Sequence, residues 1–155
     1  MRIFIGSDHG GFQLKERLVK YLLSCKHEVI NYGCFNTKSC DYPDIANEVC
    51  LGYSKDVEKE ENKIGILICG TGVGISMAAN KYSDNIRCAL CNNPYLSILS
   101  RQHNNANFLA LGARVVAYPL AEEIVSLFLA TEFTNEERHI RRIEKLSNKT
   151  KNTSI

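Results

Sequence analysis

Short apolar runs alternate along the chain with stretches in which apolar residues return every three or four positions. That alternation predicts βαβ units feeding a parallel sheet covered on both faces. Ile3 to Gly6 predicts a first strand, and Leu14, Leu18 and Leu22, one turn apart, predict a helix with one buried stripe. Val29-Ile30 predicts a short second strand. Pro43 then opens a helix on which Ala46, Val49, Cys50, Tyr53 and Val57 share a face, and the charged stretch from Lys55 to Lys63 reads as a solvated connection. Ile64 to Cys69 is a continuous apolar run of strand length that breaks at Gly70-Thr71-Gly72-Val73-Gly74 before a helix around Ser76 to Lys81.

Beyond that break, Ile86 to Cys91 predicts a fourth strand, and Asn93-Pro94 supplies the cap and first residue of the next helix. Phe108 to Leu111 predicts a fifth strand, and Pro119 opens a helix carrying Leu120, Ile124, Leu127 and Phe128. Thr134-Asn135-Glu136-Glu137 matches a capping box for a last helix with Ile140, Ile143 and Leu146 turned inward. The predicted class is therefore α/β: a three-layer αβα sandwich around a Rossmann-like, five-stranded parallel sheet. A single domain over residues 1–146 and a polar tail over 147–155 complete the picture.

Composition narrows the function. A chain of 155 residues that is 45% hydrophobic suffices for one buried core, and a formal net charge of +2 is far from the basic stripe of a nucleic-acid binder. A small anionic metabolite suits that balance, with no nucleic acid and no membrane as partner. Met1-Arg2-Ile3-Phe4-Ile5 runs into polar Gly6-Ser7-Asp8-His9 before a signal core could form, so a cytoplasmic location is expected. Without a secretion signal, the seven scattered cysteines do not read as a disulfide framework, and most of them read as small buried hydrophobes.

In an open parallel sheet, ligands bind beyond the carboxyl ends of the strands. Strand one ends in Ser7-Asp8-His9-Gly10-Gly11 and strand three in Cys69-Gly70-Thr71-Gly72-Val73-Gly74. The glycine loop leaves backbone N–H groups facing an anion at a helix N-terminus, although any strand-to-helix turn needs glycine for its geometry. A dinucleotide fingerprint would want glycine at Ile75, and a cysteine phosphatase would want arginine there. Cys69, at the mouth of the loop, lies where a helix dipole favours a thiolate, so it is a candidate nucleophile or base and otherwise a core cysteine ending a strand. His9 and His103 are expected at the same rim, where imidazole passes protons to and from a sugar ring oxygen. Tyr42 is expected to reach that rim, and Arg138 and Arg142, four apart on the last helix, form either a phosphate clamp or a solvated basic face. Cys88 and Cys91 have redox spacing but point to opposite faces of a strand, which favours core packing.

Gly6-Ser7-Asp8-His9-Gly10-Gly11, Asp41-Tyr42-Pro43-Asp44, Ile68 to Ser76, Ala79-Asn80-Lys81, Ser100-Arg101-Gln102-His103-Asn104 and Leu111-Gly112-Ala113-Arg114-Val115 together resemble the type B ribose-5-phosphate isomerase family. That family also contains the galactose-6-phosphate isomerase subunits. The resemblance runs from Met1 to about Leu146, and it implies no metal and no cofactor. It implies Cys69 as the base moving a proton between C1 and C2, Thr71 assisting at the hydroxyls, and amides of Gly70, Gly72, Val73 and Gly74 stabilising an enediolate. By the same resemblance His103 opens the furanose ring, and Asp8 and Tyr42 contact the sugar. His9, Arg138 and Arg142 hold the phosphate, with Asn104 and Arg114 completing the pocket from the neighbouring subunit of a homodimer or dimer of dimers. The resemblance also implies members that use a glutamate immediately after the last loop glycine in place of the cysteine; here that position is Ile75. A six-carbon sugar phosphate, a non-catalytic phosphate-binding module and a Cys88–Cys91 redox protein are the competing readings.

Overall fold

The computed structural model describes residues 1–57 and 62–147. Its elements are β1 (Arg2–Ser7), α1 (Phe12–Ser24), β2 (Glu28–Gly33), α2 (Tyr42–Lys55), β3 (Lys63–Cys69), α3 (Val73–Tyr82), β4 (Cys88–Leu90), α4 (Pro94–Asn104), β5 (Phe108–Gly112), α5 (Tyr118–Ala130) and α6 (Glu137–Ser147). All pairings are parallel and the strand order is β2-β1-β3-β5-β4, so the α/β sandwich read from the sequence is the fold observed. Every residue of β3 is buried, as expected of a central parallel strand covered on both faces.

The two faces carry separate cores. Leu14, Leu18 and Leu22 of α1 pack with Ile124, Val125 and Phe128 of α5 over Ile3, Ile5, Ile66 and Leu109. Ala46, Val49, Cys50 and Tyr53 of α2 pack with Ile75 and Ala79 of α3 over Phe4, Leu67, Phe108 and Ala110. Cys88 faces the second core and Cys91 lies in the first, the opposite-face placement expected of that spacing. Asn93 caps α4 as predicted, its Oδ1 accepting from Leu96 N–H at 2.9 Å with Pro94 first in the helix.

Several local expectations give way to tertiary contacts. Val57 lies past the end of α2 and is 97% exposed, whereas Lys63 is 3% exposed and begins β3. The Lys63 ammonium donates to the carbonyls of Tyr53 at 3.0 Å and Asp56 at 3.1 Å, which satisfies it inside the protein. β4 is only three residues long, because the Asn107 side chain takes the Arg87 N–H at 2.8 Å before strand pairing starts. On its outer side, Asn80 of α3 accepts from Cys88 N–H at 2.9 Å and donates to Cys88 O at 2.8 Å.

Thr134 does not build the expected capping box; its hydroxyl donates to Gln102 O of α4 at 2.9 Å. On α6, Ile140 and Leu146 are exposed and the buried residue is His139. One pair of cysteines departs from expectation: Cys34 and Cys40 form a disulfide across the β2–α2 loop, while Cys50, Cys69 and Cys91 are buried and Cys25 is exposed. Apart from Ser147, the tail expected over 147–155 lies outside the described residues.

Candidate active site

The first group of candidate residues gathers where β1 and β3 end side by side and the helices that follow them, α1 and α3, diverge to opposite faces of the sheet. Asp8 N–H donates to Ile68 O at 3.1 Å, and the Asp8 carboxylate accepts from Gly11 N–H at 3.0 Å. The carboxylate is thus fixed beside the start of α1. His9 Nδ1 accepts from Cys40 N–H at 3.3 Å, so the disulfide loop sets the plane of that imidazole. Cys69 closes β3 almost fully buried, and its Sγ accepts from Gly72 N–H at 3.1 Å.

Gly72 makes that contact by taking φ +77°, a left-handed conformation that side chains oppose. A Cβ there would meet Leu90 Cδ1 at 2.5 Å and the backbone of Leu111 and Gly112 at 2.9 and 3.0 Å. Helix α3 begins at Val73, earlier than the sequence suggests, so Val73 and Gly74 form its first turn. Thr71 is exposed, and its Oγ1 accepts from Val73 N–H at 3.3 Å. Tyr42 does reach the rim: a Cβ on Gly74 would lie 2.6 Å from its ring. Arg114 reaches it as well, for its Nη1 would stand 3.1 Å from a Cβ on Gly70, and its own N–H donates to Gly70 O at 2.9 Å.

His103 and Asn104 are not at this rim. Helix α4 leaves the carboxyl end of β4 and runs back along the sheet, ending where Arg87 Nε donates to Asn105 O at 2.9 Å, just before β4 begins. That is the amino end. Since Phe108 pairs with Gly65 and Gly112 with Cys69, the two ends are four strand steps apart, roughly 13 Å at about 3.3 Å per residue. The expectation of one rim shared by Cys69 and His103 is therefore corrected for the single chain. So is the grouping of Arg114 with Asn104, because Arg114 belongs to the Cys69 end.

Around His103 a second group assembles. The His103 ring stacks on His139 of α6, with centroids 4.3 Å apart and planes 14° from parallel. Arg138 and Arg142 flank His139 on the same helix, both exposed, and Arg138 Nε donates to Glu136 at 2.8 Å. Asn104 borders a cavity of about 560 Å³ with Asn80, Asp84, Arg87 and Ser100. His139 is the residue the sequence reading passes over; its signal was an i, i+4 relation to Ile143, hidden by the charged residues on both sides. The chain thus carries two half-sites: a thiol over main-chain donors with a carboxylate and imidazole nearby, and an imidazole with two exposed guanidinium groups, that of Arg138 paired with Glu136.

A family model described as Ribose/Galactose Isomerase matches residues 3–146. Ribose-5-phosphate isomerase B of Escherichia coli is 44% identical over 146 residues, covering 94% of both chains. The protein of that name from Mycobacterium tuberculosis is 34% identical, covering 95% of this chain and 88% of its own. Among solved structures, ribose-5-phosphate isomerase B of Clostridium thermocellum superposes with a TM-score of 0.90 at 45% identity, covering 97% of this chain and 98% of its own. The type B enzyme of Trypanosoma brucei superposes with a TM-score of 0.86 at 38% identity, over 94% and 96%. With its sheet order, its cysteine-glycine turn and a match along nearly its whole length, the chain belongs to the ribose/galactose isomerase family.

Proposed function

We propose that this protein is an aldose–ketose isomerase acting on ribose 5-phosphate and ribulose 5-phosphate through an enediolate, with Cys69 as the base. The observation that carries the reading is the Gly72 N–H aimed at Cys69 Sγ from the turn into α3. Cys69 takes the proton from C2 of the open aldose, the C2–H electron pair forms the C1–C2 double bond, and the carbonyl electrons move onto O1. Negative charge on oxygen is then stabilised by the loop amides, which act more strongly on the developing enediolate than on the neutral aldehyde. Return of the proton from Cys69 to C1, with transfer of the O2 proton to O1, gives the ketose. Thr71 serves the hydroxyl protons and Asp8 holds the sugar.

His103 opens the furanose ring, and His9, Arg138 and Arg142 bind the phosphate, whose dianion suits paired guanidinium groups. Because a pentose phosphate cannot span two ends of one sheet, the working site joins the Cys69 half of one subunit to the His103 half of another. That geometry supports a homodimer, in which symmetry supplies two such sites.

The test is direct: incubate the purified protein with ribose 5-phosphate and a chelator, and follow ribulose 5-phosphate. Turnover should survive chelation and vanish in Cys69→Ala. Equal activity of Cys69→Ala would remove the proposed base, and faster turnover of allose or galactose 6-phosphate would move the substrate to six carbons.

A further inference from the structure

We propose that His139 is a positioning residue that fixes the plane of the His103 imidazole by stacking against it. The proposal rests on the reading of His103 as the group that opens the sugar ring. His139 is the buried residue of α6, 4% exposed, on a helix whose neighbouring side chains face solvent. The approach of α6 to α4 is set, five residues before His139, by Thr134, whose N–H and hydroxyl both donate to the carbonyl of Gln102, the residue before His103.

What makes the position informative is its cost. His139 Nε2 is buried with no hydrogen-bond partner among the described residues, and the nearest carboxylate oxygen, Glu136 Oε1, stands at 3.9 Å. A leucine would fill the slot without stranding a buried nitrogen. What leucine lacks is a flat face to match the face of His103. Aromatic faces held nearly parallel restrict each other's rotation, and proton transfer to a ring oxygen depends on just that orientation.

The charge state agrees with this role. Burial lowers the affinity of His139 for a proton, and the charges of His103, Arg138 and Arg142 lower it further against the opposing pull of Glu136. At neutral pH His139 is therefore an uncharged plate.

The experiment separates ring opening from enolisation. Turnover of ribose 5-phosphate, which is mostly cyclic, requires both steps. Solvent exchange of the C1 proton of ribulose 5-phosphate in deuterium oxide, followed by NMR, requires only the second, because the ketose is open-chain. His139→Leu keeps the slot filled but not flat. It should lower kcat on ribose 5-phosphate about tenfold, with KM and C1 exchange little changed, since small misplacements of a catalytic group cost this much or more. His139→Phe, flat and without the stranded nitrogen, should restore kcat to within about twofold.

The proposal is overturned if His139→Leu turns over at the wild-type rate, if it slows turnover and C1 exchange equally, or if His139→Phe fails as the leucine variant does. His103→Asn serves as the control: it should lose ribose 5-phosphate turnover and keep C1 exchange. If instead it keeps turnover, the ring-opening reading of His103 itself falls, and the failure is located there and not at His139.

Discussion

Mixing two dead enzymes should make a live one. Take Cys69→Ala and His103→Ala, each near background alone because each lacks one half of every site. Cys69 and His103 of one chain are held roughly 13 Å apart along the strand axis by the rigid pairing of β3 with β5, so neither reaches the other's place. If each site takes its Cys69 half from one subunit and its His103 half from another, random reassembly of equal amounts pairs two intact halves with probability about one half times one half. Activity should recover to about one quarter of wild type, whatever the total number of subunits. The assay is unfolding and refolding the mixture, or expressing the two chains together, and following ribulose 5-phosphate.

A sharper version uses Arg114. Its guanidinium lies against Gly70 of its own chain, on the Cys69 side. Arg114→Ala mixed with His103→Ala should therefore recover toward what the two intact halves allow, whereas Arg114→Ala mixed with Cys69→Ala should not. If no mixture exceeds the sum of its parents, the divided site is wrong, and a rearranged single chain must carry the chemistry.

Three further outcomes follow from the geometry. Gly72→Ala forces a left-handed residue with a Cβ into the backbone of β5, a combined cost of about 2–4 kcal/mol that should appear as a lower urea midpoint together with lost turnover; a stable, active variant would contradict the strain. Arg142→Ala should raise KM for the sugar phosphate roughly ten- to hundredfold with kcat little changed, the worth of a charge-assisted hydrogen bond, and steady-state kinetics would show the reverse if the arginine acted in chemistry. Burial pushes the Cys50 thiol up to about 12 and the Cys91 thiol up to about 11, the latter against the pull of its Ser100 contact. Their folded values are raised, so this stabilisation is complete below about pH 9 and is lost as pH climbs through about 11 to 12; urea midpoints of wild type should fall across that window more steeply than those of a Cys50→Ala, Cys91→Ala variant.

What was legible in the sequence was local. The glycine turn after Cys69, the Asn93 cap and the stripes of α1 and α5 are each written in residues a few positions apart, so periodicity and turn chemistry find them. The misplacement of His103 has a different origin. A helix that connects parallel strands must run back along the sheet, so residues at its end lie opposite residues at a strand end. Chemical kinship with Cys69 points His103 to the carboxyl ends, whereas that rule puts it at the amino ends. Lys63, Thr134 and His139 were hidden for one shared reason: their partners Tyr53, Gln102 and His103 lie 10, 32 and 36 positions away, beyond any local pattern. The Cys34–Cys40 disulfide likewise depends on where the β2–α2 loop folds, which composition does not encode.

The clasp of Asn80 on Cys88 has a bearing on how safely this protein lives at high concentration. An outermost strand in a sheet offers bare amide and carbonyl groups that invite a foreign strand, the opening step of many aggregates. Here one side-chain amide occupies both groups at the first residue of a three-residue margin, posing as the missing neighbour. Too little open backbone is left on that flank for another molecule to zip onto, and the sheet stops there.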